Sequence, residues 1–152
     1  YNNDELEKRK NLAVKYFEAG NNCSQSVFMA YSDIYGVEPE LAAKLAFPFG
    51  GGMGRLREVC GAVTGMFLTL GLHYPIADLN DKEAKANNYE IVRRVANSFK
   101  EITTSYNCGE LLAIQEQIKN NAPNEPCANC NTLHTCKNYV TIAAEIIGRE
   151  VL

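Results

Sequence analysis

The chain has 152 residues and a formal net charge of -3, with 15 Lys and Arg against 18 Asp and Glu. This length suits one domain, and a domain of this size buries enough surface to fold without disulfides. The charges are interspersed and form no basic patch that would neutralise phosphates, so nucleic acid is not an expected partner. No apolar run approaches the roughly 20 residues of a membrane span.

The N-terminal segment is polar and has no signal-peptide core, so we expect a cytoplasmic protein. In a reducing cytosol, cysteines are more often metal ligands or catalytic groups than structural bridges. The six cysteines of the chain therefore become the main candidates for function.

The spacing of apolar residues predicts helices along most of the chain, and no stretch shows sustained strand alternation. Asp4 is predicted to cap the first helix, and the glycine-rich residues 47–54 interrupt the helical pattern. The predicted helices cover residues 4–19, 23–36, 39–47, 60–72 and 132–149, with a long helix from residue 81 and a short one from residue 108 between the last two. We therefore expect an all-α, single-domain bundle of six or seven helices that spans residues 1–152.

Four cysteines share one local arrangement. Each stands at or near the start of a predicted helix and on the apolar stripe of that helix. These are Cys23, Cys60, Cys108 and Cys136. The free backbone N–H groups and the dipole at a helix N-terminus favour the thiolate, which is both nucleophile and metal ligand. Because the apolar stripes face one core, the four thiols are predicted to converge.

Converging thiols indicate redox chemistry or a metal, and the spacing leaves several uses open. Four thiolates can hold an iron–sulfur cluster, or pairs of thiols can exchange disulfides. A zinc site is a further alternative. A different class is a non-catalytic helical interaction module, in which the cysteines are structural and pack as small hydrophobic residues.

A second cysteine motif, Cys127-Ala-Asn-Cys130, lies in a polar loop. It does not follow a strand, which argues against a thioredoxin-like site. His134 and Cys136 would complete a zinc set with this pair, but the single residue between them is cramped for tetrahedral ligation. We interpret Cys127 and Cys130 as a secondary redox pair, either a labile disulfide or thiols that resolve the core cysteines.

Small residues flank the predicted centre. Gly51 and Gly52 belong to a glycine run that lacks the ending of a phosphate-binding P-loop, so we predict a tight loop close to a buried cofactor or helix. Gly61, Ala62 and Gly65 let another backbone or a cluster approach the first turn of the helix that begins at Cys60. These five residues are therefore candidates for cofactor binding.

Charged residues lead into that helix. Arg55, Arg57 and Glu58 are candidates to tune a thiolate or to bind an anion. The alternative is a solvated approach to the helix without a chemical role.

The hexapeptide CGAVTG at residues 60–65 resembles the CGAxxG motif of the C-GCAxxG-C-C family. Four cysteines define that family, one early, one in the motif and two later. The matching positions here are Cys23, Cys60, Cys108 and Cys136. The glycine-rich residues 49–54 are similar to the family pattern as well, whereas the CxxC pair falls outside it.

The resemblance implies a redox-active protein. A similar domain occurs beside haem in split-Soret cytochromes, where an iron–sulfur centre is present, whereas some relatives are selenoproteins, which favours direct chalcogen chemistry. We expect the four cysteines to bind an iron–sulfur cluster of the [2Fe–2S] type for electron transfer to a redox partner protein, with thiol–disulfide oxidoreductase chemistry as the alternative. A homodimer is also expected, because small bundles often pair by closed symmetry.

Overall fold

A computed structural model of the protein describes residues 2–121 and 133–152. Those residues contain seven α-helices and no strand, which confirms the predicted all-α bundle. The helices are α1 (Asn3–Glu18), α2 (Cys23–Met29), α3 (Pro39–Ala46), α4 (Gly61–His73), α5 (Lys82–Thr103), α6 (Cys108–Asn121) and α7 (Cys136–Val151). In this part of the chain, no helix combines the length and the apolar character that crossing a membrane requires.

Helices α2, α4 and α7 form the centre of the bundle, and α1, α3 and α5 pack around them. Val27, Val63 and Val140 from the three central helices are fully buried. Gly65 lets α2 and α4 approach closely, since a Cβ there would lie 2.8 Å from the Cβ of Val27 and 2.9 Å from the carbonyl oxygen of Ser24. The central pair thus holds Cys23 and Cys60, at the starts of its two helices, side by side.

Three predicted helix boundaries were wrong. Helix α7 begins at Cys136 and not at residue 132. Asn2, and not Asp4, caps α1, because its side chain accepts hydrogen bonds from the backbone N–H groups of Asp4 and Glu5. Helix α2 ends at Met29 instead of continuing to residue 36, and a 3-10 turn (Ser32–Tyr35) follows. A tertiary contact favours this end, since Arg9 of α1 donates a 3.0 Å hydrogen bond to the carbonyl of Ala30.

The segment between α3 and α4 is irregular, as predicted. A 3-10 turn (Phe47–Phe49) leads into a four-residue turn (Gly50–Met53), which we call the glycine turn. An isolated antiparallel bridge between Val59 and Asn107 then joins the chain before α4 to the chain before α6. We call it the 59–107 bridge, and it fixes the starts of these two helices beside each other.

Candidate functional site

The four cysteines singled out in the sequence line one cavity of about 200 Å³. Cys60 is the N-cap of α4, and Cys23, Cys108 and Cys136 are the first residues of α2, α6 and α7. All four are free thiols; Cys60 and Cys108 are buried and the other two are partly buried. The structure therefore confirms that the four helix starts converge, and it places the four thiols around one cavity.

Polar capping residues place three of these cysteines. Asn22 forms a capping box with Gln25 at the start of α2. Asn107 accepts a 2.9 Å hydrogen bond from the backbone N–H of Glu110, and Thr135 accepts a 3.1 Å bond from that of Asn138. Because each cap stands directly before its cysteine, the capping preference of Asn and Thr determines where the thiol lies.

Two of the cysteines, Cys23 and Cys108, pack so closely against a glycine that a side chain there would overlap with them. A Cβ at Gly61 would lie 3.2 Å from the Cβ of Cys23, and a Cβ at Gly52 would lie 2.6 Å from the Cβ of Cys108. Gly52 also has φ of +68°, a conformation that favours glycine. The glycine turn is thus in contact with the cysteine cavity.

The five small residues predicted to bind a cofactor occupy different places. Gly51 and Gly61 line the cavity. Gly52 lies behind Cys108 and Gly65 lies between α2 and α4. Ala62 is fully buried in the core. The described structure therefore brings the first two to the cavity surface and gives the other three packing positions around it.

Arg57 brings a positive charge to the cavity wall. Its guanidinium Nη1 lies 3.7 Å from the Sγ of Cys108, within hydrogen-bonding distance of a sulfur acceptor. The residue has φ of +63°, and its carbonyl accepts a 3.2 Å hydrogen bond from the backbone N–H of Gly109. The side chain is therefore presented to the thiols from a backbone conformation that non-glycine residues rarely adopt.

Cys23 and Cys136 form an unequal thiol pair. A hydrogen bond from Cys23 lowers the pKa of Cys136 to about 6, assisted by a hydrogen bond from Gln115 and by the charge of Arg57. The amide Nε2 of Gln115 lies 3.7 Å from the Cys136 sulfur. The same contact with Cys136, together with burial, raises the pKa of Cys23 well above its usual range. Cys136 is thus the thiolate and Cys23 the protonated donor of the pair.

The thiol of Cys60 is held in its neutral form. Burial raises its pKa to about 12, although the backbone N–H groups of Ala62 and Val63 at the start of α4 act in the opposite direction. Desolvation thus outweighs the helix N-terminus at this position. Deprotonation of Cys60 therefore requires a compensating positive charge, such as a metal.

No group of three or more His, Cys, Asp or Glu side chains in residues 2–121 and 133–152 has the arrangement of a metal-ion site. His134 instead forms a 2.9 Å hydrogen bond with the hydroxyl of Tyr139 through its Nδ1. Cys127 and Cys130 lie outside the described residues, so their predicted role as a secondary redox pair stays a prediction.

Several residues of the cavity wall were not predicted from the sequence. The remaining lining residues are Phe17, Asn22, Leu111, Leu112 and Tyr139, and Gln115 reaches Cys136 beside them. A signal for Gln115 is present, because it follows Cys108 by seven residues and so lies on the same face of α6. The aromatic and leucine residues carry no such signal, since the same types fill the core.

Comparison with protein families agrees with this geometry. A family model described as "Putative redox-active protein (C_GCAxxG_C_C)" matches residues 21–149. The chain belongs to this family. The match contains all four cavity cysteines, and it confirms the resemblance seen in the CGAVTG hexapeptide. Searches of curated proteins and of solved structures returned no match.

Proposed function

We propose that the four cavity cysteines hold an iron–sulfur cluster of the [2Fe–2S] type and that the protein transfers single electrons to a partner protein. The observation that carries this proposal is the convergence of four thiols, each from the start of a different helix, on one cavity of about 200 Å³. Membership of a redox-active family supports the same class of chemistry.

The four-thiol donor set and the cavity support this proposal, although the side chains of the described residues do not stand in the arrangement of a metal-ion site. Four-cysteine ligation is the rule for [2Fe–2S] clusters. A cluster contains more than one iron, so its thiolates surround a volume instead of one point, and a cavity ringed by four separate helix starts meets that requirement. The apolar side chains of Phe17, Leu111 and Leu112 in the wall limit access of water.

The cluster supplies one-electron storage, and the residues of the chain stabilise its charge. Metal binding releases the protons that burial keeps on thiols such as those of Cys23 and Cys60. The helix N-termini at the four cysteines and the guanidinium of Arg57 then offset the negative charge of the thiolates. Burial of the centre restricts proton exchange with solvent.

Iron analysis of protein purified without oxygen tests the proposal. We expect a brown protein with iron and acid-labile sulfide, whereas a zinc protein would be colourless. Serine in place of Cys23, Cys60, Cys108 or Cys136 should lower the iron content, and Cys127→Ser with Cys130→Ser serves as a matched control that should retain it. Unchanged iron in all four single variants would refute cluster binding at this cavity.

A second candidate function rests on the Cys23–Cys136 contact. In a thiol–disulfide oxidoreductase, the Cys136 thiolate would attack a substrate disulfide and release one substrate thiolate. Cys23 would then lose its proton and attack the Cys136 sulfur, which releases the second substrate thiol and leaves a Cys23–Cys136 disulfide. Two electrons pass from the protein to the substrate disulfide in this exchange.

Titration in a glutathione buffer distinguishes this candidate. Dithiol chemistry predicts a reversible loss of two or more free thiols per chain. It also predicts a peptide crosslinked between Cys23 and Cys136 in mass spectra. Cys60→Ser should leave this crosslink intact and Cys23→Ser should abolish it. Constant thiol counts across the range of potentials would exclude the oxidoreductase.

The remaining expectations are part of the same proposal. A redox partner belongs to the proposal because a centre that stores one electron must receive it from and pass it to another molecule. A reducing cytoplasm is the compartment in which four unpaired thiols persist. The homodimer expected from the sequence stays a prediction, which sedimentation of the loaded protein would check.

A further inference from the structure

A groove of about 320 Å³ is lined in part by Val59 and Tyr106, which belong to the chain segments that carry Cys60 and Cys108. Its floor is apolar and is formed by Val59, Phe67, Val92, Ala96 and Tyr106. Arg93 and Asn97 from α5 form one edge. The groove thus combines an apolar floor with a polar, cationic edge.

The edge is positively charged because of the spacing along α5. Arg93 and Lys100 are separated by seven residues and lie on one face, and the Nζ of Lys100 stands 5.6 Å from the ring centre of Tyr106. Both cations are exposed, and neither forms an ion pair with another described residue. Glu90 precedes Arg94 by four residues and its charge acts on the guanidinium of Arg94. The groove therefore presents unneutralised positive charge in a chain whose net charge is -3.

The groove is joined directly to the cysteine segments. Val59 immediately precedes Cys60, and the carbonyl of Tyr106 accepts a 2.8 Å hydrogen bond from the backbone N–H of Cys60. Tyr106 also stands two residues before Cys108. A group seated on Val59 and Tyr106 is thus one residue along the chain from Cys60 and two residues from Cys108.

We propose that this groove is the docking surface for an acidic one-electron carrier protein that inserts an apolar side chain between α4 and α5. The proposal rests on the proposed electron-transfer function and names the chemistry of its partner. Charge complementarity selects the acidic partner, and the apolar floor accepts its tip. In the transfer, the reduced carrier loses one electron and the four-cysteine centre gains it, and no bond forms or breaks.

The rate at which hexacyanoferrate(III), a trivalent anion, oxidises the reduced protein tests whether electrons pass through this groove. Arg93→Glu with Lys100→Glu should slow the reaction about tenfold or more in low salt, because electrostatic steering changes association rates by about 10–10³-fold. The rate with the trivalent cation hexaammineruthenium(III) should rise in the same variant. Arg93→Lys with Lys100→Arg should keep the rates of the unchanged protein.

The control is Lys8→Glu with Lys15→Glu, which makes the same change in net charge at exposed positions of α1. We expect its rates to stay within about twofold of the unchanged protein. Equal rates in the two charge-reversed variants would overturn the docking surface.

The same protein samples also distinguish two other outcomes, which are failure of the proposed redox function and dimerisation through the groove. If the unchanged protein is not oxidised at all, the proposed redox function fails before the groove is tested. If sedimentation shows a dimer that the Arg93→Glu, Lys100→Glu variant dissociates, a second copy of the chain covers the groove, and the acidic carrier is refuted.

Discussion

At the scale of single residues, the thiols of Cys23, Cys60 and Cys136 differ in protonation although all three stand at helix starts. Burial keeps Cys60 neutral, whereas hydrogen bonds to its sulfur make Cys136 the acidic thiol of the set. The helix N-terminus alone therefore does not decide reactivity, because solvation and the immediate neighbours contribute more. Because of this difference, we expect Cys136 to react with thiol reagents at lower pH than Cys23 or Cys60 in metal-free protein.

The alkylation of Cys136 should show this acidity directly. In reduced, metal-free protein, we expect its rate with iodoacetamide to rise with pH through a midpoint near 6, because the thiolate is formed above its lowered pKa. Cys23→Ala removes the largest cause of the lowering and should move the midpoint upwards towards 9.0, the usual value. Peptide mass spectrometry across pH 5–10 measures both curves.

Cys60→Ala is the control for this prediction, because Cys60 is absent from the groups that lower the Cys136 pKa. Its curve should keep the midpoint of the unchanged protein. A midpoint near 9 in the unchanged protein would contradict the Cys23–Cys136 hydrogen bond as the cause.

Alanine substitutions at Gly52 and Gly54 distinguish the cost of backbone strain from the cost of steric overlap with a neighbouring side chain. Both have positive φ, but a Cβ at Gly52 meets the Cys108 Cβ at 2.6 Å, whereas the nearest atom at Gly54 is 3.8 Å away. Gly54→Ala should cost roughly 1–2 kcal/mol from the left-handed conformation. Gly52→Ala should cost about 1–3 kcal/mol more from overpacking and should also lower iron content. Urea unfolding gives both free energies, and equal values would show that Cys108 is free to move.

At the scale of elements, the capping residues Asn22, Asn107 and Thr135 were identified only in the structure, and Asp4 was wrongly predicted as the cap of α1. The helices themselves could be predicted because their apolar spacing is regular. The early end of α2 could not, since it depends on a hydrogen bond from Arg9, 21 residues away from Ala30. The 59–107 bridge was equally hidden, because a single bridge leaves no alternating pattern in the sequence. Local apolar spacing thus predicts the helices themselves better than the residues at which they start and end.

The contact between α2 and α4 is expected to tolerate no added side chain. Gly65→Ala places a Cβ 2.8 Å from that of Val27 and should destabilise the protein by about 1–3 kcal/mol. Gly71 lies in the same helix, and no atom stands within 4 Å of the place that a Cβ would take there, so Gly71→Ala should stabilise by roughly 0.5–1 kcal/mol through helix propensity. Chemical denaturation of the two variants side by side measures this, and changes of the same sign would contradict the close packing.

At the scale of the whole molecule, the four cysteines and their convergence could be predicted, whereas the electrostatics of the cavity could only be outlined. Arg57 was a candidate among several charged residues, and the sequence does not show that a left-handed backbone turns it to Cys108. Gln115 of α6 contacts the Cys136 sulfur at the start of α7, and Tyr139 of α7 lines the cavity, which depends on how the helices pack in the folded chain. Long-range packing therefore decides which neighbours a predicted ligand acquires.

Loading with iron and sulfide should stabilise the entire bundle, because the four proposed ligands stand at the starts of four helices. A ligand that binds only the folded state contributes about 2.7 kcal/mol at a hundred times its Kd, and about 3 °C of Tm accompanies each kcal/mol in a chain of this size. We therefore expect Tm to rise by about 8 °C or more on loading and to fall again after chelation. Anaerobic calorimetry measures the change, Cys136→Ser should reduce it, and an unchanged Tm would argue against a ligand shared by the four helices.

The 59–107 bridge also makes the opening of the cavity wall measurable by hydrogen exchange. Backbone N–H groups at helix starts are normally open to water, yet those of Cys60 and Cys108 are bonded across the bridge to the carbonyls of Tyr106 and Glu58, at 2.8 Å and 2.6 Å. Their hydrogens can exchange with deuterium only when the two segments separate. The exchange rates of these two amides therefore report how often the cavity wall opens. Each rate is measured at a single residue, and no probe has to be attached to the protein.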